Sequence, residues 1–194
     1  MHRKTMDIHT LTGVAIFTAI VIVLQLLGSF IRFGPFSISL TLIPIVVGAA
    51  LYGPWAGAWL GFVFSMVVLI SGDAGAFLAV NVFGTILTVI VKGTAAGFAA
   101  GAVFKALEKV NVTLAVVCAA IVCPVVNTGL FLVGCELFFL ETIAGWGRAM
   151  GFESVGKYMI LGLVGGNFLF EMLTNIILSP VILRLIRIGR KEKA

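Results

Sequence analysis

Three polar side chains recur at four-residue intervals in the last apolar segment of the chain. Asn167, Glu171 and Asn175 stand within residues 158–188, where most other residues are apolar. Residues four apart share one face of a helix. A carboxyl group and two amides are costly to place in hydrocarbon, so this face is expected to line a site within the protein and not to contact lipid.

The composition predicts an integral membrane protein. Of 194 residues, 61% are hydrophobic and 11% are charged, and the mean hydropathy is +1.20. A helix needs about 20 mostly apolar residues to cross about 30 Å of hydrocarbon. Six such segments use nearly the whole chain, which predicts a single membrane-embedded domain over residues 1–194 and leaves no room for a soluble catalytic domain.

We predict an all-α fold with six transmembrane helices, the first retained and not cleaved as a signal peptide. The predicted helices cover residues 8–27, 40–51, 55–70, 77–107, 112–140 and 158–188. Pro44 and Pro124 are expected to kink the second and fifth helices. Gly53 and Pro54 predict a tight turn between the second and third helices.

The distribution of Lys and Arg predicts that both termini are cytoplasmic. Nine of these residues fall on the side that holds the termini, and three, Arg32, Arg148 and Lys157, fall opposite. Such an excess marks the cytoplasmic side. The net charge of +5 therefore indicates topology and attraction to anionic lipid, and not nucleic-acid binding.

Small residues at helical spacing mark two surfaces where another helix can approach closely. Ala15 and Ala19 lie one turn apart on the first helix, and Gly53, Gly57 and Gly61 recur along the start of the third. Such patterns commonly serve helix packing, within one chain or between chains.

The six-helix plan, Ala15-xxx-Ala19 and the run Tyr-Gly-Pro-xx-Gly-Ala-xx-Gly-Phe over residues 52–62 together resemble the substrate-binding S component of energy-coupling factor (ECF) vitamin transporters. The similarity covers essentially the whole chain. It implies a subunit that captures a vitamin from outside and docks on one membrane-coupling subunit and two ATPases. It also implies that Ala15 and Ala19 contact the coupling helices, and that the ligand lies in the outer half among helices 4 to 6.

Four polar side chains at suitable depths are candidate ligand contacts: Asn81, Asn127, Glu136 and Asn167. Buried amides offer paired donors and acceptors that suit the hydroxyl, amide or carboxyl groups of a small ligand. Hydrogen bonding between helices is their alternative role, and it is the role expected for the deeper Asn175.

Lys92 and Glu171 are expected to form a structural ion pair, because they lie about fifteen and thirteen residues from the outer ends of their helices. At roughly 1.5 Å per residue, these depths agree within a turn. A buried charge without a partner is costly. Lys92 alternatively receives a ligand carboxylate or couples ligand occupancy to helix movement.

Aromatic residues near the outer loops have two alternative roles. Trp146 and Tyr158 either anchor the chain at the membrane interface or close over an apolar part of the ligand. Asp73, in the third loop, is expected to be solvated.

The leading hypothesis is a binding subunit for pantothenate, since Asn81, Asn127, Asn167 and Lys92 suit a small acidic ligand better than a large flat one. Riboflavin or another vitamin stays open because aromatic side chains can stack on a ring. An autonomous transporter and an intramembrane enzyme using Glu136 or Glu171 are the alternatives from other classes.

No metal or cofactor is expected: both histidines lie in residues 1–9, and the three cysteines of the fifth helix, at positions 118, 123 and 135, look like packing residues.

Overall fold

The structure is a computed structural model that describes residues 8–30, 32–33, 36–37 and 40–191. Helices account for nearly all of these residues. In chain order they are α1 (Ile8–Ser29), α2 (Leu42–Tyr52), α3 (Pro54–Ile70), α4 (Gly75–Leu78), α5 (Val82–Leu107), α6 (Val112–Phe138), α7 (Leu140–Ala149), α8 (Val155–Lys157), a π-helical segment (Tyr158–Gly165), α9 (Gly166–Ile177) and α10 (Ser179–Lys191). Two strands of two residues, β1 (Arg32–Phe33) and β2 (Phe36–Ser37), pair antiparallel between α1 and α2.

Four helices are long and apolar enough to cross a membrane by length and composition: α1, α5, α6 and the continuous stretch Val155–Ile177. The apolar helices α2 and α3 contain 11 and 17 residues, fewer than the roughly 20 that a perpendicular crossing requires. The helical class predicted from the sequence is therefore confirmed, and the predicted count of six crossings depends on the two shorter helices.

Helices α3 and α5 run antiparallel, as their contacts show. A side chain at Gly57 would meet Gly97 and one at Gly61 would meet Gly93, so ascending positions on α3 face descending positions on α5. At both places the backbones touch because neither residue carries a Cβ atom. The close approach predicted from the glycine spacing is therefore formed within the chain, between α3 and α5.

The fourth predicted helix is divided into α4 and α5, with Asn81 at the break. Asn81 has extended backbone angles, φ −149° and ψ 102°, and its Oδ1 accepts a hydrogen bond of 2.9 Å from the backbone N–H of Gly84. This is an N-cap, which satisfies one of the N–H groups that the first turn of a helix leaves without a partner. Asn81 therefore begins α5 and does not lie within a longer helix.

The end of the chain also differs from the predicted helix 158–188. Part of the expected connection 141–157 is helical, as α7, and the last helix is interrupted at Leu178, just before Pro180. Proline lacks the N–H that would continue the helical hydrogen bonds, and it is tolerated in the first turn of α10.

Two clusters of buried apolar side chains form the core. The larger cluster surrounds α2, whose eight buried residues contact helices on several sides. The smaller cluster joins α4, α7, the end of α6 and the π-helical segment through Phe77, Phe139, Ile143 and Tyr158. A cavity lies between the clusters, since side chains of both line it.

We predict that Gly61→Ala destabilises the protein, because the new methyl group would strike the Gly93 carbonyl of α5. Overpacking of this kind costs about 1–3 kcal/mol. Gly129→Ala is the matched control, since Gly129 lies on the exposed side of α6 with nothing within 4 Å of a Cβ atom. Thermal unfolding in detergent should show a lower midpoint for Gly61→Ala only. Equal midpoints for the two variants would contradict the packing.

Candidate binding site

A cavity within the bundle collects most of the buried polar side chains of the described helices. Helices α3, α5, α6 and α9 form its walls, and α1 and residues 73–77 add to them. Its volume open to a water-sized sphere is about 80 Å³, smaller than the roughly 300–1,000 Å³ usual for small-molecule sites. The polar lining residues are Gln25, Asp73, Thr85, Thr88, Lys92, Asn127, Asn167 and Glu171.

The remaining wall is mostly aromatic. Phe64, Phe77, Phe131 and Phe139 line the cavity. Phe77 is central among them, with its ring 5.5 Å from that of Phe131 and 5.1 Å from that of Phe139, both edge to face. The site thus combines a few polar groups with an apolar surface, as small-molecule sites commonly do.

Lys92 brings a positive charge to the cavity from the middle of α5. Its Nζ lies 5.7 Å from the centre of the Phe64 ring and 5.3 Å from that of Phe131. Ring faces attract a cation, and this attraction is stronger where water is scarce. The two rings hold the ammonium group without using its hydrogen-bond donors.

Glu171 brings a negative charge from α9 and is 4% exposed. Its Oε1 accepts a hydrogen bond of 3.1 Å from Nδ2 of Asn167, one turn earlier. The shared helix face predicted for these two residues is therefore formed, and it lines the cavity.

The expected ion pair between Lys92 and Glu171 is not formed as a direct contact. Both residues line the cavity, but the contacts among the described residues include no approach within 4.0 Å between Lys92 Nζ and the Glu171 carboxylate. Agreement in depth along two helices does not fix the distance across the space between them. Here Phe131 and Phe64 occupy the surroundings of Lys92, while Asn167 binds the carboxylate.

Three buried polar atoms of the lining residues have no hydrogen-bond partner within the part of the chain that the structure describes: Thr88 Oγ1, Asn127 Oδ1 and Glu171 Oε2. Buried polar atoms usually have a partner, because leaving one unpaired costs about 1–3 kcal/mol. These atoms come from three helices and meet at one cavity, which suits the binding of a polar molecule.

A hydrogen-bonded group at the edge of the cavity was not predicted. Gln25 Nε2 and Ser29 Oγ of α1 both donate to Asp73 Oδ2, at 3.0 and 2.8 Å. Thr41 Oγ1 donates to Gln25 Oε1 at 3.0 Å. Asp73 is therefore not simply solvated, as its loop position suggested, but bound to the first helix.

Four of the predicted ligand contacts lie outside this cavity. Asn81 caps α5, and Glu136 is exposed near the end of α6. Trp146 packs edge to face on Phe77 at 5.5 Å, behind the cavity wall. Tyr158 is 2% exposed and packs on Phe152 at 5.3 Å, in the smaller core cluster.

Asn175, the third residue of the polar face, lies one turn beyond Glu171 and is buried. Its Nδ2 donates to the carbonyl oxygen of Ala120 on α6 at 3.2 Å. The predicted hydrogen bond to a neighbouring helix is confirmed.

A second, apolar groove lies on the outside of the bundle between α1 and α3. Its volume open to a water-sized sphere is about 620 Å³. The lining residues are Thr10, Leu11, Val14, Ala15, Thr18, Tyr52, Trp55, Ala56 and Trp59. Ala15 and Ala19 are both exposed on α1, and only Ala15 lines the groove.

The cavity combines charged, polar and aromatic side chains. Across the described ranges, no three His, Cys, Asp or Glu side chains gather as a metal site would require. The cavity offers a cation, two carboxylates, three amides and two hydroxyls beside an aromatic wall.

Comparison with known proteins agrees with this reading. A family model described as the substrate-specific component of ECF transporters matches residues 9–186. No curated protein and no solved structure matches the chain. That family consists of transporter components and not of enzymes, and its members are membrane proteins. The chain therefore belongs to the ECF transporter substrate-specific component family and is a multi-pass membrane protein.

Proposed function

We propose that this protein captures a small water-soluble vitamin outside the cell and delivers it through an ATP-driven ECF complex. The observation that carries the proposal is the cavity, where a half-buried Lys92, a buried Glu171 and three amides meet inside a bundle of apolar helices. Charged groups within a membrane protein commonly mark a substrate site.

The proposed topology has six crossings, a single membrane-embedded domain and both termini in the cytoplasm. The exposed Arg184 and Arg187 of α10 support it, since cytoplasmic segments are rich in basic residues. With this orientation the cavity, near Asp73 and the start of α5, opens toward the outside.

Pantothenate is the vitamin we propose first. Lys92 would hold its carboxylate, and Asn127 and Asn167 would bind its amide and hydroxyl groups. Riboflavin is the second candidate, and the four phenylalanines of the wall favour it because they can stack on a flat ring.

The other residues singled out in the sequence receive indirect roles. Asn81 would position α5, and with it Thr85, Thr88 and Lys92. Trp146 and Tyr158 would support the wall from behind, through Phe77 and the smaller core cluster. Glu136, which is exposed at the end of α6, lacks a described contact with the cavity.

For energy coupling, we propose that one membrane-coupling subunit and two ATPases associate with this chain. Ala15 and Ala19 would form the docking surface with the apolar groove beside them, because small exposed side chains let a second helix approach α1 closely. The lipid bilayer surrounds the remaining surface, and no catalytic centre is assigned to this chain.

Pantothenate should co-purify with the detergent-solubilised protein and be identified by mass spectrometry. In liposomes, labelled pantothenate should accumulate only when the coupling subunit, both ATPases and ATP are present, because a binding subunit alone has no energy source. Omission of ATP is the control. Uptake by the purified chain alone would contradict the proposal and favour an autonomous transporter.

Ala15→Trp or Ala19→Trp should prevent docking, since a large side chain would hold the coupling helix away from α1. We expect uptake in the reconstituted complex to fall by at least about tenfold, which corresponds to about 1.4 kcal/mol. Ligand binding by the isolated subunit should not change, because neither residue lines the cavity.

The matched control is Ile20→Trp, another substitution of an exposed residue of α1, 38% exposed in the protein. Ile20→Trp should retain co-purification of the coupling subunit. Normal docking of both alanine variants would contradict the assignment of this surface.

A further inference from the structure

We infer that the ligand is a small carboxylate that also carries hydroxyl or N–H donors, and that Glu171 binds those donors while Lys92 binds the ligand carboxylate. This inference rests on the proposed function and deepens it. It assigns Glu171 to ligand recognition, in place of the structural ion pair that the sequence suggested.

The need for donors follows from the unpartnered atoms of the cavity. Asn127 Oδ1 and an ionised Glu171 Oε2 can only accept hydrogen bonds, whereas Thr88 Oγ1 can accept or donate. All three atoms are buried, at residues that are 4–6% exposed. A ligand that presents only acceptors would leave two of them unpaired, so the ligand must bring O–H or N–H groups.

The need for an anion follows from Lys92. An ammonium group has three donors and no acceptor, and its described neighbours are the faces of Phe64 and Phe131. Rings stabilise its charge but do not accept its hydrogen bonds as an oxygen does. A carboxylate would accept them and balance the charge.

The carboxylates already present do not supply this anion. Glu171 does not approach Lys92 within 4.0 Å, and its Oε1 is bound by Asn167. Asp73 is bound by Gln25 and Ser29 at the edge of the cavity. Glu171 and Asp73 thus act on the Lys92 charge only from a distance, and a ligand carboxylate would be its first direct anionic partner among the described residues.

The two requirements together select among ligands. Panthenol and riboflavin carry donors without a carboxylate, and lipoate carries a carboxylate without such donors. Pantothenate and biotin meet both requirements with neutral donors, whereas 5-aminovalerate meets them with an ammonium group. The aromatic wall suits a ligand whose polar ends are joined by carbon.

The first test is a binding screen of the purified full-length protein in detergent, by thermal stabilisation and then calorimetry. The panel contains the water-soluble vitamins together with panthenol, lipoate and 5-aminovalerate. We expect stabilisation only by compounds that have both a carboxylate and donors. Comparison of pantothenate and biotin with 5-aminovalerate shows whether neutral or charged donors are preferred.

The outcomes separate the two proposals. A compound lacking either group that binds best would overturn the ligand class and leave the proposed function intact. A panel in which nothing binds would overturn the proposed function and the ligand class with it. For the pantothenate and panthenol pair, Lys92→Met should abolish the preference for the carboxylate, and a preference that persists would overturn the role of Lys92.

A second test uses two threonines of the same helix. Thr88 Oγ1 and Thr94 Oγ1 both lack a described hydrogen-bond partner, but only Thr88 lines the cavity. Thr88→Val and Thr94→Val should each maintain or raise the unfolding midpoint, because valine has the same shape without the unpaired hydroxyl. Thr88→Val alone should weaken ligand binding, by about tenfold.

Glu171→Gln extends this test to the acceptor that carries the inference. Loss of a charge-assisted hydrogen bond should weaken binding of the best panel compound by about ten- to a hundredfold. Unchanged affinity in both Thr88→Val and Glu171→Gln would overturn the assignment. If Glu171→Gln fails to fold, unchanged affinity in Thr88→Val alone would overturn it.

Discussion

The cost of burying a charge in an apolar interior is the constraint on which the arrangement of this protein depends. Apolar side chains cannot solvate Lys92 or Glu171, so both groups need polar or aromatic partners within the protein. Two aromatic rings surround the ammonium group, and Asn167 binds one carboxylate oxygen. Hydrogen bonds are still lacking at both groups: the rings accept none from Lys92 as an oxygen would, and Glu171 Oε2 has no described partner. The remaining hydrogen bonds are left to whatever occupies the cavity.

The close packing of α3 and α5 makes this arrangement possible. Where Gly61 meets Gly93, the two backbones touch, and the neighbouring Ser65 Oγ donates to the carbonyl oxygen of Val89 at 2.7 Å. This contact helps to set the distance between Phe64, which precedes Ser65 on α3, and Lys92, which precedes Gly93 on α5. Gly61 and Gly93 therefore affect the site indirectly, because the close approach of α3 and α5 places the Phe64 ring beside the Lys92 ammonium group.

The sequence predicted those features of the site that depend on helical period. Asn167, Glu171 and Asn175 share a face because four residues approximate one turn, and the hydrogen bond expected from Asn175 to a neighbouring helix is formed. Distances across the bundle could not be obtained in this way, which is why Lys92 and Glu171 agree in depth but do not touch. Asn81 stands in a continuous apolar run, so the helix start that it caps was hidden. Gln25 and Asp73 are 48 residues apart, and only the folded chain brings them together.

The hydrogen bond between Gln25 and Asp73 also connects the cavity to the outer surface of α1, where Ala15 lies. Helix α1 carries Gln25 in the cavity wall and Ala15 ten residues earlier, about 15 Å away along a helix that rises about 1.5 Å per residue. A helix of 22 residues transmits displacement over such a distance because its backbone hydrogen bonds resist compression. A ligand that displaces Asp73 must therefore either break its hydrogen bonds to Gln25 and Ser29 or move α1 with it. Gln25 and Ser29 both lie on α1. Movement of α1 together with Asp73 would therefore preserve both hydrogen bonds, whereas movement of Asp73 away from α1 would break them.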